Sequence, residues 1–218
     1  APVHPVPEVM PITRTAARIM LFAACFALGC ASFRDSRFVP PFDFTPPARD
    51  AGALLIINRF AGPDTTAGSI VSEADRESFV ATVEGACRDA RLFSRTVTQR
   101  RAGRERDAGY AVILETELAI SENLHPKSAR VLNTFLFTWL DRRRVTLRAS
   151  VYDGGGTRRG EYEMSERFET IGFLLLPVFP LLGRSERTVK DEVFRTLVVR
   201  VINAAQRDGA FAAPKPKE

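Results

Sequence analysis

The chain has 218 residues, with 31 lysines and arginines against 26 aspartates and glutamates, a formal net charge of +5, and 9% aromatic residues. So mild a basic excess does not argue for a nucleic-acid reader, which concentrates basic residues on one face, and attraction to anionic surfaces is weak. Two histidines and three cysteines leave little material for metal or nucleophile chemistry.

Arg14 and Arg18 precede an apolar run over residues 19–29 that stops at Cys30. The run is about half of the roughly twenty apolar residues a spanning helix needs. A positive flank, a short apolar centre and small residues before the cut define a cleavable secretory signal. The expectation is a signal over residues 1–29, cut between Gly29 and Cys30. Residues 1–9 have no place in it and read as a gene-model extension, with Met10 or Met20 as the start. Ala27, Leu28, Gly29 and Cys30 resemble the lipobox of bacterial lipoproteins, although Ala27 stands where leucine is usual. The resemblance implies that Cys30 carries covalent diacylglycerol on sulfur and an acyl chain, such as palmitate, on its new amino group; no other cofactor is expected. The competing reading is an ordinary signal with an incidental cysteine. Cys25 leaves with the leader, so Cys87, on a predicted helix, has no partner for a disulfide and reads as a small buried hydrophobe.

Residues 30–50 hold Pro40, Pro41, Pro46 and Pro47 among Phe33, Phe38, Phe42 and Phe44. Proline density favours an extended tether after the lipidated cysteine, with the phenylalanines resting partly on the domain. Residues 53–57 form a continuous apolar run, short enough for a strand buried on both faces. Ser72 and Asp75 have the spacing of a capping box, and Phe79, Val83, Ala86 and Ala90 continue it as an amphipathic helix to about Arg91. A short strand follows over residues 95–99, then an exposed arginine-rich turn over residues 100–109.

Tyr110, Val112, Leu114, Thr116, Leu118 and Ile120 alternate as a strand, with Glu115 and Glu117 on its other face. Val145, Leu147, Ala149 and Val151 alternate again. Gly154, Gly155 and Gly156 can supply a tight reversal, and Tyr162, Met164 and Phe168 return, so residues 145–168 predict a β-hairpin. Thr188 to Asp191 open a last helix with a wide apolar stripe from Val189 to Ala205, ended by Gly209. Residues 211–218 read as a disordered tail. The fold class expected is α+β: a mixed or antiparallel sheet of about four to five strands, with two amphipathic helices on one face of a single domain over residues 51–210.

Signals for catalysis are poor, and no enzyme is expected. His125 sits beside Pro126 in a turn and lacks the partners that a metal or a nucleophile would need. Glu115 and Glu117 invite a carboxylate-pair reading, but alternation on a solvent face accounts for them equally. The glycine triplet lacks the lysine and hydroxyl residue of a phosphate loop. The unusual features are two apolar segments, residues 131–140 and 171–182. Counting outward from Gly155 brings positions near 139 and 171 level, so both segments leave one end of the sheet. Either they cover an open edge of the core, or they form an apolar patch for a partner or a bilayer. On the second reading Phe135, Phe137, Trp139, Leu140, Phe173, Leu175, Val178 and Phe179 are the contact residues, with Trp139 beside Arg142, Arg143 and Arg144 suited to headgroup depth.

The lipobox, the apolar run over residues 53–57, a helix ending at Ala90, Arg91, Leu92 and Phe93, and the strand, hairpin, helix order to Ala205 resemble small bacterial envelope lipoproteins with a TolB-amino-terminal-like or curli-secretion-lipoprotein-like α+β domain. The likeness spans most of residues 50–210. With Ala31 after the cysteine in place of aspartate, it implies retention at the periplasmic face of the outer membrane, ahead of the inner. The expected role is a non-enzymatic accessory of an envelope assembly, transport or cell-wall machine, with membrane lipid and an envelope protein as partners. The alternatives are an oligomeric outer-membrane secretion channel subunit and an envelope hydrolase using Glu115 and Glu117.

Overall fold

Alternation of apolar and polar residues is written into three long strands that form the centre of the sheet. The computed structural model describes residues 29–34, 39–46, 51–61, 71–99, 110–123, 138–173 and 184–212. In chain order these form β1 (Gly29–Arg34), β2 (Ala53–Phe60), α1 (Glu73–Asp89), β3 (Arg95–Thr98), β4 (Val112–Asn123), β5 (Thr138–Asp153), β6 (Arg158–Phe173) and α2 (Glu186–Arg207). The sheet runs β1-β6-β5-β4-β2-β3. β1, β6, β5 and β4 pair antiparallel, whereas β2 is parallel to both β4 and β3. The class is α+β with a mixed sheet, as expected.

Six described strands replace the expected four to five, because β1 lies in the segment assigned to the lipidated cysteine and its tether. Its short alternation runs against the core, with Ser32 and Arg34 turned inward and Phe33 exposed. Its place is fixed instead by the six-residue ladder that pairs it with residues 168–173 of β6.

Both helices cover one face. Phe79, Val83, Ala86 and Cys87 of α1, and Val189, Val193, Phe194, Leu197, Val201 and Ile202 of α2, join Leu54 and Ile56, Val112, Leu114 and Leu118, and Val145, Leu147, Ala149 and Val151 in one buried cluster. An aromatic chain ties three elements together: Phe60 meets Phe79 edge-on at 6.1 Å, and Phe79 meets Phe194 at 5.6 Å. Such pairs add about 0.5–1.5 kcal/mol beyond their burial. β2 is buried on its second face as well, where Leu55 packs with Val97 and Tyr110. Tyr110 therefore does not share the inward face of β4. The chain bends at Ala111, whose amide donates to the Ala53 carbonyl (3.0 Å), before β4 starts.

The helix ends follow capping chemistry. Ser72 Oγ accepts from the Asp75 amide (3.1 Å) and donates to the Asp75 carboxylate (2.7 Å). α1 stops at Asp89, short of the expected Arg91, because Arg91 takes a left-handed φ of 52°. α2 starts at Glu186, ahead of the expected Thr188: Ser185 is its cap and accepts from the Thr188 amide (3.2 Å). At its far end Gly209 has φ 70°, the Gly209 amide reaches the Gln206 carbonyl (3.1 Å), and the Ala210 amide reaches the Ala205 carbonyl (2.8 Å). That pair of bonds is a Schellman closure, which glycine permits at no steric penalty. Phe211, next in line, is buried and meets Phe93 edge-on at 5.2 Å; of the expected tail, residues 213–218 lie outside the described residues.

The β5–β6 hairpin turns as the glycines predict, with different tasks for each. Gly154 is a close approach, since a side chain there would meet the Tyr110 carbonyl oxygen at 2.2 Å; Gly156 alone takes a positive φ, 81°. The arms are longer than expected, 16 residues each.

Candidate membrane-anchoring site

Three strands meet at Cys30, the residue expected to carry lipid. In the ladder Cys30 stands opposite Gly172, and Gly172 stands opposite Trp139. The neighbouring row sets Ala31, Ile171 and Leu140 side by side, and the last sets Gly29, Phe173 and Thr138 side by side. Counting from the glycine turn is thus accurate to one residue; a bulge between Val151 and Tyr152 provides the offset. Of the expected contact residues, Trp139, Leu140 and Phe173 fall on this sheet end together with Gly29 and Cys30. Phe135, Phe137, Leu175, Val178 and Phe179 lie outside the described residues, as do residues 1–28 and His125.

β1 is fastened to the domain along its length. The Ser32 and Thr170 hydroxyls hydrogen-bond at 3.0 Å, and the Ser32 amide donates to the Arg184 carbonyl (3.1 Å) on the open side of the strand. Arg34 then passes under α2. Its side chain is 4% exposed and faces Glu166 of β6, itself 5% exposed, at 3.3 Å. Arg34 also lies 3.7 Å from Glu192 and donates to the Thr196 hydroxyl (3.1 Å), while Arg200 approaches Glu166 at 3.5 Å and Arg184 pairs with Glu192. Glu192, Thr196 and Arg200 recur at intervals of four along one row of α2, so the helix offers a polar stripe to the strand edge. Glu166 is the inward residue between Met164 and Phe168. It is absent from the expected site residues, although the strict alternation of β6 marks a carboxylate there as buried.

The chain after β1 also stays on the protein. Phe42 and Phe44 pack against the main core. The Asp43 amide donates to Asn203 Oδ1 (3.3 Å), Asn203 Nδ2 donates to the Pro41 carbonyl (3.0 Å), and Arg207 pairs with Asp43 at 2.6 Å.

By overall shape the chain is similar to solved structures of bacterial proteins. The PelC dodecamer from Paraburkholderia phytofirmans matches at 12% identity and TM-score 0.35, covering 86% of this chain and 100% of that one. The lipoprotein GNA1162 from Neisseria meningitidis matches at 9% and 0.38, over 72% and 99%. A minor lipoprotein from Acinetobacter baumannii matches at 11% and 0.33, over 79% and 100%. Two of these three are lipoproteins, but similarity at this level assigns no activity or partner to this chain. Neither a family model nor a curated protein matches the sequence.

The other chemical candidates lie elsewhere in the fold. Glu115 pairs with Arg59 across β2 and β4, and Glu117 stands opposite Arg148. Cys87 is fully buried, and burial with the nearby Glu84 charge pushes its thiol up to about 12, so it is held protonated and shielded. Among the described residues no group of three or more His, Cys, Asp or Glu is placed to hold a metal, and no helix is long and apolar enough to cross a membrane.

Proposed function

We propose that the protein is a lipoprotein of the bacterial envelope, acylated at Cys30, held at the periplasmic face of the outer membrane, and acting without catalysis as an accessory to an envelope assembly, transport or cell-wall machine. The observation that carries this reading is the coincidence of two independent features at one place. The lipobox cysteine is the second residue of β1, and the sheet end it occupies is the one from which both apolar segments of the sequence depart.

Lipid chains contribute about 0.8 kcal/mol per buried methylene, and stable anchoring takes more than one chain. Cys30→Ser therefore releases the domain to the soluble periplasm, read by fractionation of cells; persistence in the membrane fraction contradicts the anchor. Separation of the two membranes by density then decides outer against inner.

The secretion-channel alternative, in which residues 131–140 and 171–182 form membrane strands, would have to draw those strands from outside the charged part of the described arms. Arg142, Arg148, Glu161, Glu163 and Arg167 on the solvent face of β5 and β6 are all exposed. Charged side chains facing lipid near mid-bilayer cost about 2–4 kcal/mol each for arginine.

A further inference from the structure

A lipoprotein whose domain hangs on a flexible tether samples every orientation above its membrane, and this chain lacks the slack to do so. Only three residues separate Cys30 from Arg34, and all of them are in the ladder of β1. At the rise of a strand, Cys30 lies about 13 Å from the buried Arg34 along β1. Across the sheet two ladder spacings place Trp139 about 10 Å from Cys30. The proline-rich stretch that follows adds no reach, because it comes after β1 and its described part is bound to α2 through Asn203 and Arg207.

We propose that the lipid on Cys30 couples to the sheet with no tether at all, so that the end of β1, β6 and β5 stands directly on the bilayer and fixes the orientation of the whole domain. The inference rests on the anchor reading. The occupant of this end is the surface of the same bilayer that receives the acyl chains, because they cannot enter the membrane without bringing the first residues of β1 to headgroup depth. Phe33, 41% exposed, is the exposed large hydrophobic among the described residues. It stands three residues from Cys30, in one row with Glu169 and the exposed Arg142. Glu169, beside the ring, is ion-paired with Arg142 at 2.6 Å, so the aromatic side chain is bordered by a charge-compensated polar pair, as suits the membrane interface.

The single tryptophan of the chain, Trp139, reports the contact without labelling. The acylated protein is reconstituted in phosphatidylethanolamine and phosphatidylglycerol vesicles, with and without bromine on the acyl chains, and acylation of Cys30 is verified by mass spectrometry. The expected result is loss of Trp139 emission in the brominated vesicles. A second variant inserts about ten Gly and Ser residues between Cys30 and Ala31, a flexible span with a reach on the order of 15–20 Å. It remains acylated and vesicle-bound but recovers most of its emission. Acylated protein whose emission is indifferent to bromine overturns the proposal and leaves this sheet end to a protein partner. Equal quenching with and without the insertion also overturns it, since the end then binds lipid by its own affinity. A bare Cys30 thiol in the mass spectrum defeats the anchor reading itself and is told apart from both by that measurement.

Discussion

The same sheet carries two sets of ion pairs under opposite conditions. Beneath α2, the Arg34 and Glu166 side chains are each about 5% exposed, whereas on the outer face Arg148 and Glu163, at 3.1 Å, are 61% and 59% exposed. Geometry is similar in the two, so the difference lies in what surrounds them. Water screens the outer pair and would solvate either partner alone. The inner pair has surrendered its water, and each charge depends on the others for compensation. The outer pair faces water along the described strands; the inner cluster locks an edge strand, and with it Cys30, onto the domain.

Removing Glu166 is the most severe way to break that contrast. In a soluble Cys30→Ser background, Glu166→Ala is expected to destabilise by about 3–5 kcal/mol in urea unfolding, toward the lower end because Glu192 and Thr196 still hold Arg34. Replacing both members, Arg34→Met with Glu166→Leu, is expected to recover most of the loss, since apolar packing can substitute for a buried pair. A Glu166→Ala loss no larger than that of an outer-face charge would deny the cluster its role as a lock. Cys87 offers an independent readout, as its thiol reacts only when the domain opens.

The helix caps lie between the two extremes, and one of them links stability to pH. Burial alone would raise the Asp75 carboxyl, but the Ser72 hydroxyl and the Lys190 ammonium, 3.0 Å away on α2, outweigh it and hold the group below its ordinary value of 3.8. The folded chain thus releases this proton more readily than the unfolded one. Its stabilisation is complete above 3.8 and is lost as pH falls through the lowered folded value. Ser72→Ala should cost about 1 kcal/mol near neutral pH and shift the acid limb of the stability profile upward. Asp75→Asn should remove this group's share of that limb. An unchanged acid limb in Asp75→Asn would show that Asp75 makes no distinct contribution to it.

How far the sequence discloses these features depends on whether the signal is local. Alternation in β4 and β5, the Ser72 cap and the glycine turn are local and lie where expected, although β5 starts seven residues ahead of Val145, at Thr138. β1 is hidden from a pattern reading because its alternation is inverted: polar Ser32 and Arg34 turn inward while Phe33 stays exposed, and its strand state is imposed by β6, more than a hundred residues away in sequence. α2 starts ahead of its expected place because Thr188 and Asp191 imitate a capping box better than Ser185 does, although Thr188 is the residue whose amide Ser185 caps. Glu166 was within reach, since a carboxylate in phase with Tyr162 and Phe168 must be buried. Its partner Arg34 was not, for the chain between them gives no hint that the tether folds back as a strand.

The outer pair sets the lower bound of the comparison. Arg148→Ala and Glu163→Ala, alone and combined, should show a coupling of about 0.2–1 kcal/mol at low salt. The coupling should shrink toward zero at molar salt, where the screening length falls to about 3 Å. The corresponding cycle on Arg34 and Glu166 should be larger and nearly indifferent to salt, because mobile ions do not reach a pair packed under a helix. If both cycles respond to salt alike, the inner cluster is wetter than its burial implies. β1 would then be held chiefly by its ladder to β6, and Cys30 would be attached to a strand free to peel away from the domain.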